Sequence, residues 1–278
     1  MTICALSGMV FFMGKNKRFS KGWLLFVILL PFFIIAFIIA LSQVLLTWRE
    51  YLSAEKEYDE LQIYSPLTAE TSIYSSDEPG DDNSEPEIDS ASAATGGEDG
   101  DNIKLDPSLP LLELNEEYIG WIHIAGTNID YPMVQTGDNN KYLRRTFLGE
   151  GNQSGTIFMD YRINAGFEAP FILIYGHNMH DGSMFAALEK FMDDDFMAAN
   201  PEVTVSTINN EILNFRIFAV KTVNVEDKIF DLIGQDESVI RDYLDSINAP
   251  VNNGQLLILS TCYGSNNDER LLVLSTLE

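Results

Sequence analysis

The stretch Gln255-Leu-Leu-Ile-Leu-Ser-Thr-Cys262 decides how this chain is read. Four consecutive aliphatic residues with no helical period read as a strand buried on both faces, and the strand ends on a cysteine. A second stretch, Phe171-Ile-Leu-Ile-Tyr-Gly-His177, has the same form and ends on a glycine and a histidine. Strand ends are where a rigid sheet presents reactive side chains, so these two stretches carry both the fold and the chemistry.

Working outward, six further short runs rich in β-branched and aromatic residues read as strands, over 118–124, 129–134, 156–159, 203–207, 212–223 and 271–277. Gly, Asn, Asp or Pro breaks separate most of them. Asn209-Asn210 between two runs is a hairpin signal. Helical patterns are fewer, over 139–147, 183–191 and 236–247. In the last of these, Val239, Ile240, Tyr243, Leu244 and Ile247 fall at helical spacing. Eight short strands with sparse helices predict a mainly β domain, a closed or nearly closed eight-stranded barrel with a few peripheral helices.

The N-terminal part is of another kind. Residues 22–48 contain no charged side chain, and 23–41 alone would rise about 29 Å as a helix, roughly the hydrocarbon thickness of a bilayer. Pro31 lies inside this run, which membrane helices tolerate. Lys15, Lys17, Arg18 and Lys21 precede it, so the positive-inside rule keeps the N-terminus cytoplasmic and exports the rest. The run is longer than a signal-peptide core, and its small residues Ala36 and Ala40 lie inside it, so it reads as an uncleaved anchor. Met13-Gly-Lys-Asn-Lys-Arg18 reads as a more ordinary cytoplasmic start than Met1, with Met9 a further option.

Charge divides the chain again. Residues 1–52 carry 5 basic and 1 acidic group, 53–101 carry 1 and 15, and 102–278 carry 11 and 26. Between Ser65 and Asp101 there are eleven acidic residues and no basic ones, among Ser, Gly, Pro and Ala. Such a segment buries too little apolar surface to offset chain entropy and is kept extended by like charge. It reads as a solvated spacer, without calcium-loop ligand spacing, although 51–64 could extend the anchor as a helix. The organisation expected is a basic cytoplasmic tail over 1–21, a transmembrane anchor over 22–48, an acidic flexible, disordered linker over 49–102, and a folded domain over 103–278. The net charge of −25 argues against nucleic acid as a partner.

Two cysteines cannot make a disulfide framework, and the anchor places Cys4 and Cys262 on opposite sides of the membrane. Cys262 is then a free thiol in an exported domain: a buried small hydrophobe or a nucleophile. His177, at another strand end, favours the nucleophile, and Arg270 follows eight residues after Cys262, just before a closing strand. A neighbouring cation lowers a thiol's pKa, an imidazole can protonate a departing amine, and a guanidinium can bind a developing oxyanion. Taken alone, Arg270 reads equally well as an ion-pair partner of Asp268 or Glu269. His123, alternating in a strand, and His180, in a polar loop, read as structural. His180 follows His177 by three residues, a spacing that could suggest a metal, but no third ligand pattern accompanies the pair, so no metal is expected.

With these residues in place, the chain resembles a known family. Gly120-Trp-Ile-His-Ile-Ala-Gly-Thr-Asn-Ile-Asp-Tyr-Pro-Met-Val-Gln135, Gly155-Thr-Ile-Phe-Met-Asp-Tyr-Arg162, Tyr175-Gly-His-Asn-Met-His-Asp-Gly-Ser-Met-Phe185 and Leu259-Ser-Thr-Cys-Tyr263 are similar to the class B sortases. These are membrane-anchored cysteine transpeptidases of Gram-positive bacteria. The resemblance covers about 109–278, with the motifs in order. It implies the sortase-type barrel, with N-terminal helices around 108–117 or before, and a late extra helix at 236–247. It implies Cys262 as nucleophile, His177 as acid/base partner and Arg270 as oxyanion or substrate clamp. Ser260 matches a substrate-contacting position, Asn139 and Leu143 match a helix lining the peptide groove, and Tyr263 and Ile229 are weaker substrate-binding matches. His180 departs from the residue often found at its position.

The reaction implied is cleavage of a C-terminal sorting signal after Thr through a thioester, resolved by an amine of a lipid-linked cell-wall precursor. Sorting motifs of the class have Pro second and Thr fourth. The partners implied are surface proteins bearing such signals, and the location is the cell membrane, single-pass, with an extracellular catalytic domain. No cofactor is implied. Asp106-Pro107-Ser108 lacks the aromatic of a pilin-type lid, so no lid is expected. Two alternatives remain. A peptidoglycan cross-linking cysteine transpeptidase would place its cysteine in Ser-x-Gly-Cys-x-Arg, unlike Leu259-Ser-Thr-Cys262. A catalytically silent anchored peptide-binding module would not need Cys, His and Arg together.

Overall fold

The strands of the computed structural model close into a barrel of order β1-β2-β3-β4-β7-β8-β6-β5. They are β1 Tyr118–Ile124, β2 Asp130–Val134, β3 Ile157–Met159, β4 Phe171–Tyr175, β5 Glu202–Thr207, β6 Ile212–Asn224, β7 Leu256–Cys262 and β8 Glu269–Leu277. The structure describes residues 21–66, 108–249, 255–264 and 268–278. Residues 1–20 of the basic tail with the alternative starts and Cys4, residues 67–102 of the linker, and 103–107 with Asp106-Pro107 lie outside the described residues.

All eight strands expected from sequence are present, with ends shifted by at most two residues. The β5–β6 hairpin turns at Asn209-Asn210, where Asn210 takes a positive φ of 61°, a conformation asparagine tolerates better than most residues. Two neighbour relations are parallel, β2 with β3 and β4 with β7, and the rest are antiparallel. The strands read as doubly buried sit next to each other, Phe171 opposite Leu256 through Tyr175 opposite Ser260. Their aliphatic residues are almost wholly buried, and Trp121, Phe147, Phe185, Phe191 and Phe215 fill the largest volumes of the core. Removing surface of this size from water is the main stabilising term of the domain.

The helices are shorter than their patterns suggest. Over 139–147 only a 3₁₀ turn, Lys141–Arg144, forms. The Asp138 carboxylate accepts the Asn140 and Lys141 N–H groups at 2.6 and 2.9 Å, and Arg145 is already extended, so nothing propagates the turn. The pattern over 183–191 is likewise a 3₁₀ helix, Ala186–Met192, packed on β8. The late helix forms as read, at Glu237–Ser246, with Ile240 and Leu244 buried. Helix Ser108–Leu114 precedes β1, and a short helix Asp194–Ala199, capped by Asp193, was not singled out by the sequence.

The chain divides into two units between Arg49 and Glu50. In the first, helix α1, Lys21–Leu61, begins, and it carries an apolar stretch long enough to cross a membrane. In the second, the structure corrects the linker boundary. Residues 50–66 fall inside the linker span 49–102, but 51–61 extends α1 as the charged pattern over 51–64 allows, and 50–66 packs on the barrel as the last turns of α1 and a 3₁₀ turn, Gln62–Tyr64. Ala54, Tyr58 and Leu61 fall on one helical stripe and are buried. The Tyr58 hydroxyl donates to the Gly155 carbonyl at 2.6 Å, Gln62 Nε2 to the Asp130 carbonyl at 2.6 Å, and Asn152 Nδ2 to the Glu50 carbonyl at 2.7 Å. An acid-rich stretch still hides an apolar stripe, and composition averages over it.

Candidate active site

The barrel order makes β7 the neighbour of both β4 and β8, and this builds the site. Cys262, the last residue of β7, stands directly opposite Arg270 across the antiparallel β7–β8 pair. Directly opposed residues in such a pair point to the same face with Cβ atoms about 5 Å apart. On the other side, the β4 ladder continues past Tyr175 through a hydrogen bond from the Gly176 N–H to the Ser260 carbonyl at 3.1 Å, which sets His177 beside the end of β7.

These ends open into one cavity of about 260 Å³. It brings together six of the eight residues singled out from sequence: Asn139, Leu143, His177, Ser260, Cys262 and Arg270. Cys262 is a free thiol, partly exposed. Tyr263 is half-buried next to it, its N–H bonded to the Glu269 carbonyl at 3.1 Å, and is not part of the cavity wall. Ile229 is placed elsewhere. It sits in the 3₁₀ turn Lys228–Leu232 with 1% exposure and lies outside the wall, so its side chain packs the core instead of facing a peptide.

His177 Nε2 lies 2.6 Å from the Leu143 carbonyl. A carbonyl only accepts, so Nε2 is the donor of this contact and Nδ1 is the ring nitrogen it leaves uncommitted. The contact depends on Gly155, whose φ of 61° suits glycine. A Cβ there would fall 2.6 Å from the Tyr142 carbonyl and 3.1 Å from the His177 ring. Asn178, which the sequence reading passed over, staples the two chemical strand ends, donating from Nδ2 to the Cys262 carbonyl at 3.0 Å and to Glu189 at 2.6 Å. Arg270 Nη1 donates to the Glu269 carbonyl at 2.9 Å. The hydroxyls of Ser260 and Thr261 are buried in the wall and make no hydrogen bond to the described residues. No group of three or more His, Cys, Asp or Glu that could hold a metal exists among the described residues.

Behind the wall, Asp160 is fully buried and accepts from Arg162 Nε at 2.8 Å and Nη2 at 2.7 Å. Burial pushes this carboxyl up, but the Arg162 side-chain and backbone hydrogen bonds, with one from Asn139, outweigh it and hold the group below its usual range. Burial pushes the Tyr175 phenol up, and the neighbouring Asp160 charge pushes it further, so its proton stays available to donate. The sign of the acid dependence follows. A depressed folded pKa contributes stability that is complete above the unfolded value of about 3.9 and is lost as pH falls through the folded value. The gap in melting temperature between wild type and Asp160→Asn is therefore expected to be widest above pH 4 and to narrow below it. A gap that does not change from pH 7 to pH 2.5 in thermal unfolding would contradict this.

A partly exposed thiol, an imidazole and a guanidinium at the mouth of one β-barrel cavity are the parts of a thiol-dependent acyl-transfer centre. The comparisons with known proteins agree. The sortase domain model matches residues 122–278. Sortase B of Listeria monocytogenes is 34% identical over 185 residues, which span 63% of this chain and 72% of that protein. The X-ray structure of Clostridium perfringens sortase B matches at 30% identity with a TM-score of 0.55, covering 61% of this chain and 98% of that one. A Staphylococcus aureus sortase B–substrate complex shares the fold, with a TM-score of 0.63 at 20% identity over 83% of this chain and 98% of that one. The chain belongs to the sortase family of cysteine transpeptidases, and within it to class B.

Proposed function

We propose that this sortase cleaves a C-terminal sorting signal after its Thr and transfers the shortened protein to an amine of a lipid-linked peptidoglycan precursor. The observation that carries the reading is the pairing of Cys262 with Arg270 at a cavity that also holds His177. The Cys262 thiolate attacks the Thr carbonyl carbon, and Arg270 hydrogen-bonds the oxygen as it gains charge. As the C–N bond breaks, the His177 imidazolium gives its Nδ1 proton to the departing amine, and a thioester remains. The acceptor amine attacks the thioester, loses a proton to His177, and expels the Cys262 thiolate as the new amide forms. Asn139, Leu143 and Ser260 hold the extended peptide along the wall. No cofactor enters the scheme. The apolar stretch of α1 would anchor the protein in a single pass with the N-terminus inside and the catalytic domain outside, where sorting signals emerge.

The test uses the full chain in detergent micelles and fluorescence-quenched pentapeptides with Pro second and Thr fourth, varied at the first, third and fifth positions. Glycine-type and diaminopimelate-type amines are added in parallel. Thr-specific cleavage is expected, with a transfer product when the right amine is present. Failure to cleave any peptide in the panel would overturn the reading.

A further inference from the structure

Asp160 lies one residue past β3, shows no surface to solvent, and does not itself line the cavity. A buried carboxylate needs its charge and lone pairs matched, and Arg162 supplies the charge and three of the donors, a two-pronged side-chain contact and its backbone N–H at 3.0 Å. Two further donors, both from outside the Asp160–Arg162 turn, converge on one of the carboxylate oxygens. Asn139 Nδ2 donates to Asp160 Oδ2 at 2.9 Å, and the Tyr175 hydroxyl donates to it at 3.0 Å. Both belong to residues of the cavity wall. The other end of the Asn139 carboxamide accepts the Tyr161 N–H at 3.0 Å, so the amide has one orientation; a flipped amide would set donor against donor and acceptor against acceptor. The peptide N–H of Asp160 bonds the Leu173 carbonyl of β4, and Gln135 Nε2 donates to the Asp160 carbonyl at 2.9 Å, which fixes the residue from behind.

We propose that Asp160 is a positioning residue for substrate recognition: its arginine-clamped carboxylate holds Asn139 and Tyr175 in one arrangement and so sets the peptide affinity of the groove. The inference rests on the proposed transpeptidase reading and adds to it the device that orders one wall of the site. A wall ordered before the peptide arrives spares binding the entropy of ordering it. The device ties the Asn139 turn to the end of β4, one residue before the Gly176-His177 pair.

The experiment measures KM and kcat of the full chain in detergent micelles on a quenched peptide that the wild type cleaves, for Asp160→Asn, Asn139→Ala and the double variant, with thermal unfolding in parallel. An asparagine at 160 keeps the shape but loses the charge and sets one oxygen and one amide donor where five hydrogen bonds now reach two oxygens. Asp160→Asn is expected to raise KM about tenfold with kcat within about twofold. Asn139→Ala is expected to raise KM similarly, and the double variant no further than the larger single effect, since coupled residues are non-additive. An Asp160→Asn protein with lowered melting temperature and unchanged KM has only a structural aspartate and overturns the inference; so do KM effects that multiply in the double variant. Should Asp160→Asn fail to fold, Tyr175→Phe and Arg162→Lys each remove a single part of the network. A raised KM in either supports the inference, and unchanged KM in both overturns it. A wild type that cleaves no peptide fails before any variant is compared, and in that case the transpeptidase reading falls and takes this inference with it.

Discussion

Replacing Cys262 with alanine is expected to remove peptide cleavage, lowering kcat at least about a thousandfold, because loss of a covalent nucleophile leaves only what binding and the remaining donors supply. The same change is expected to leave stability within about 1 kcal/mol. Cys262 is partly exposed at the end of β7, and its contacts to the rest of the site run through its backbone: the carbonyl that accepts from Asn178 and the register opposite Arg270. The alanine variant should therefore keep the wild-type melting temperature and still bind the peptide. Steady-state kinetics and a thermal melt on one preparation decide the point. Turnover within tenfold of wild type would remove Cys262 from the mechanism. Lost activity together with a collapsed melt would make it a packing residue.

The second large effect is expected at Arg270. Arg270→Lys keeps the charge but is expected to lower kcat/KM about a hundredfold, about 2.7 kcal/mol of transition-state stabilisation. The guanidinium presents five N–H donors in a plane, enough to keep its bond to the Glu269 carbonyl and still meet an oxygen at the cavity mouth. A lysine ammonium has three rotating donors and no such fork. The division between constants separates the two roles. A fall in kcat marks an oxyanion contact made in the transition state, and a rise in KM with kcat preserved marks a clamp on the bound peptide. Wild-type values for both would exclude either role.

Much of the barrel was legible because strand formation is signalled locally. Runs such as 171–175 and 256–261 carry β-branched and aliphatic residues between turn formers, and their edges fall within two residues of the observed strands. The apolar stretch of α1 is equally local, a matter of length and absent charge. Helix was over-read where local chemistry cut it short, as at 139–147, where Asp138 caps a single turn.

The residues of the proposed chemistry, Cys262 and His177, could be picked out locally too, since each follows a strand that can be recognised on its own. Apart from Arg270, their neighbours were reached through resemblance or not at all. Nothing near Asp160 in sequence says that its carboxylate will meet Asn139 from one side and Tyr175 from the other. Nor does the sequence around Asn178 show that its amide will hold the Cys262 strand end. Ile229 looked like a groove residue and is core, while residues 50–66 looked like spacer and supply Ala54, Tyr58 and Leu61 to the core.

By itself the sequence determined the strands, the membrane-length helix, and the side chains with reactive chemistry, because each is a property of neighbours along the chain. The tertiary structure alone decided that β7 lies between β4 and β8, that a carbonyl at Leu143 orients the His177 ring, and that a buried aspartate stands behind the groove. Those contacts join residues tens of positions apart. They form where closing the barrel buries the most apolar surface with its polar groups paired, a condition on the whole domain that no local stretch contains.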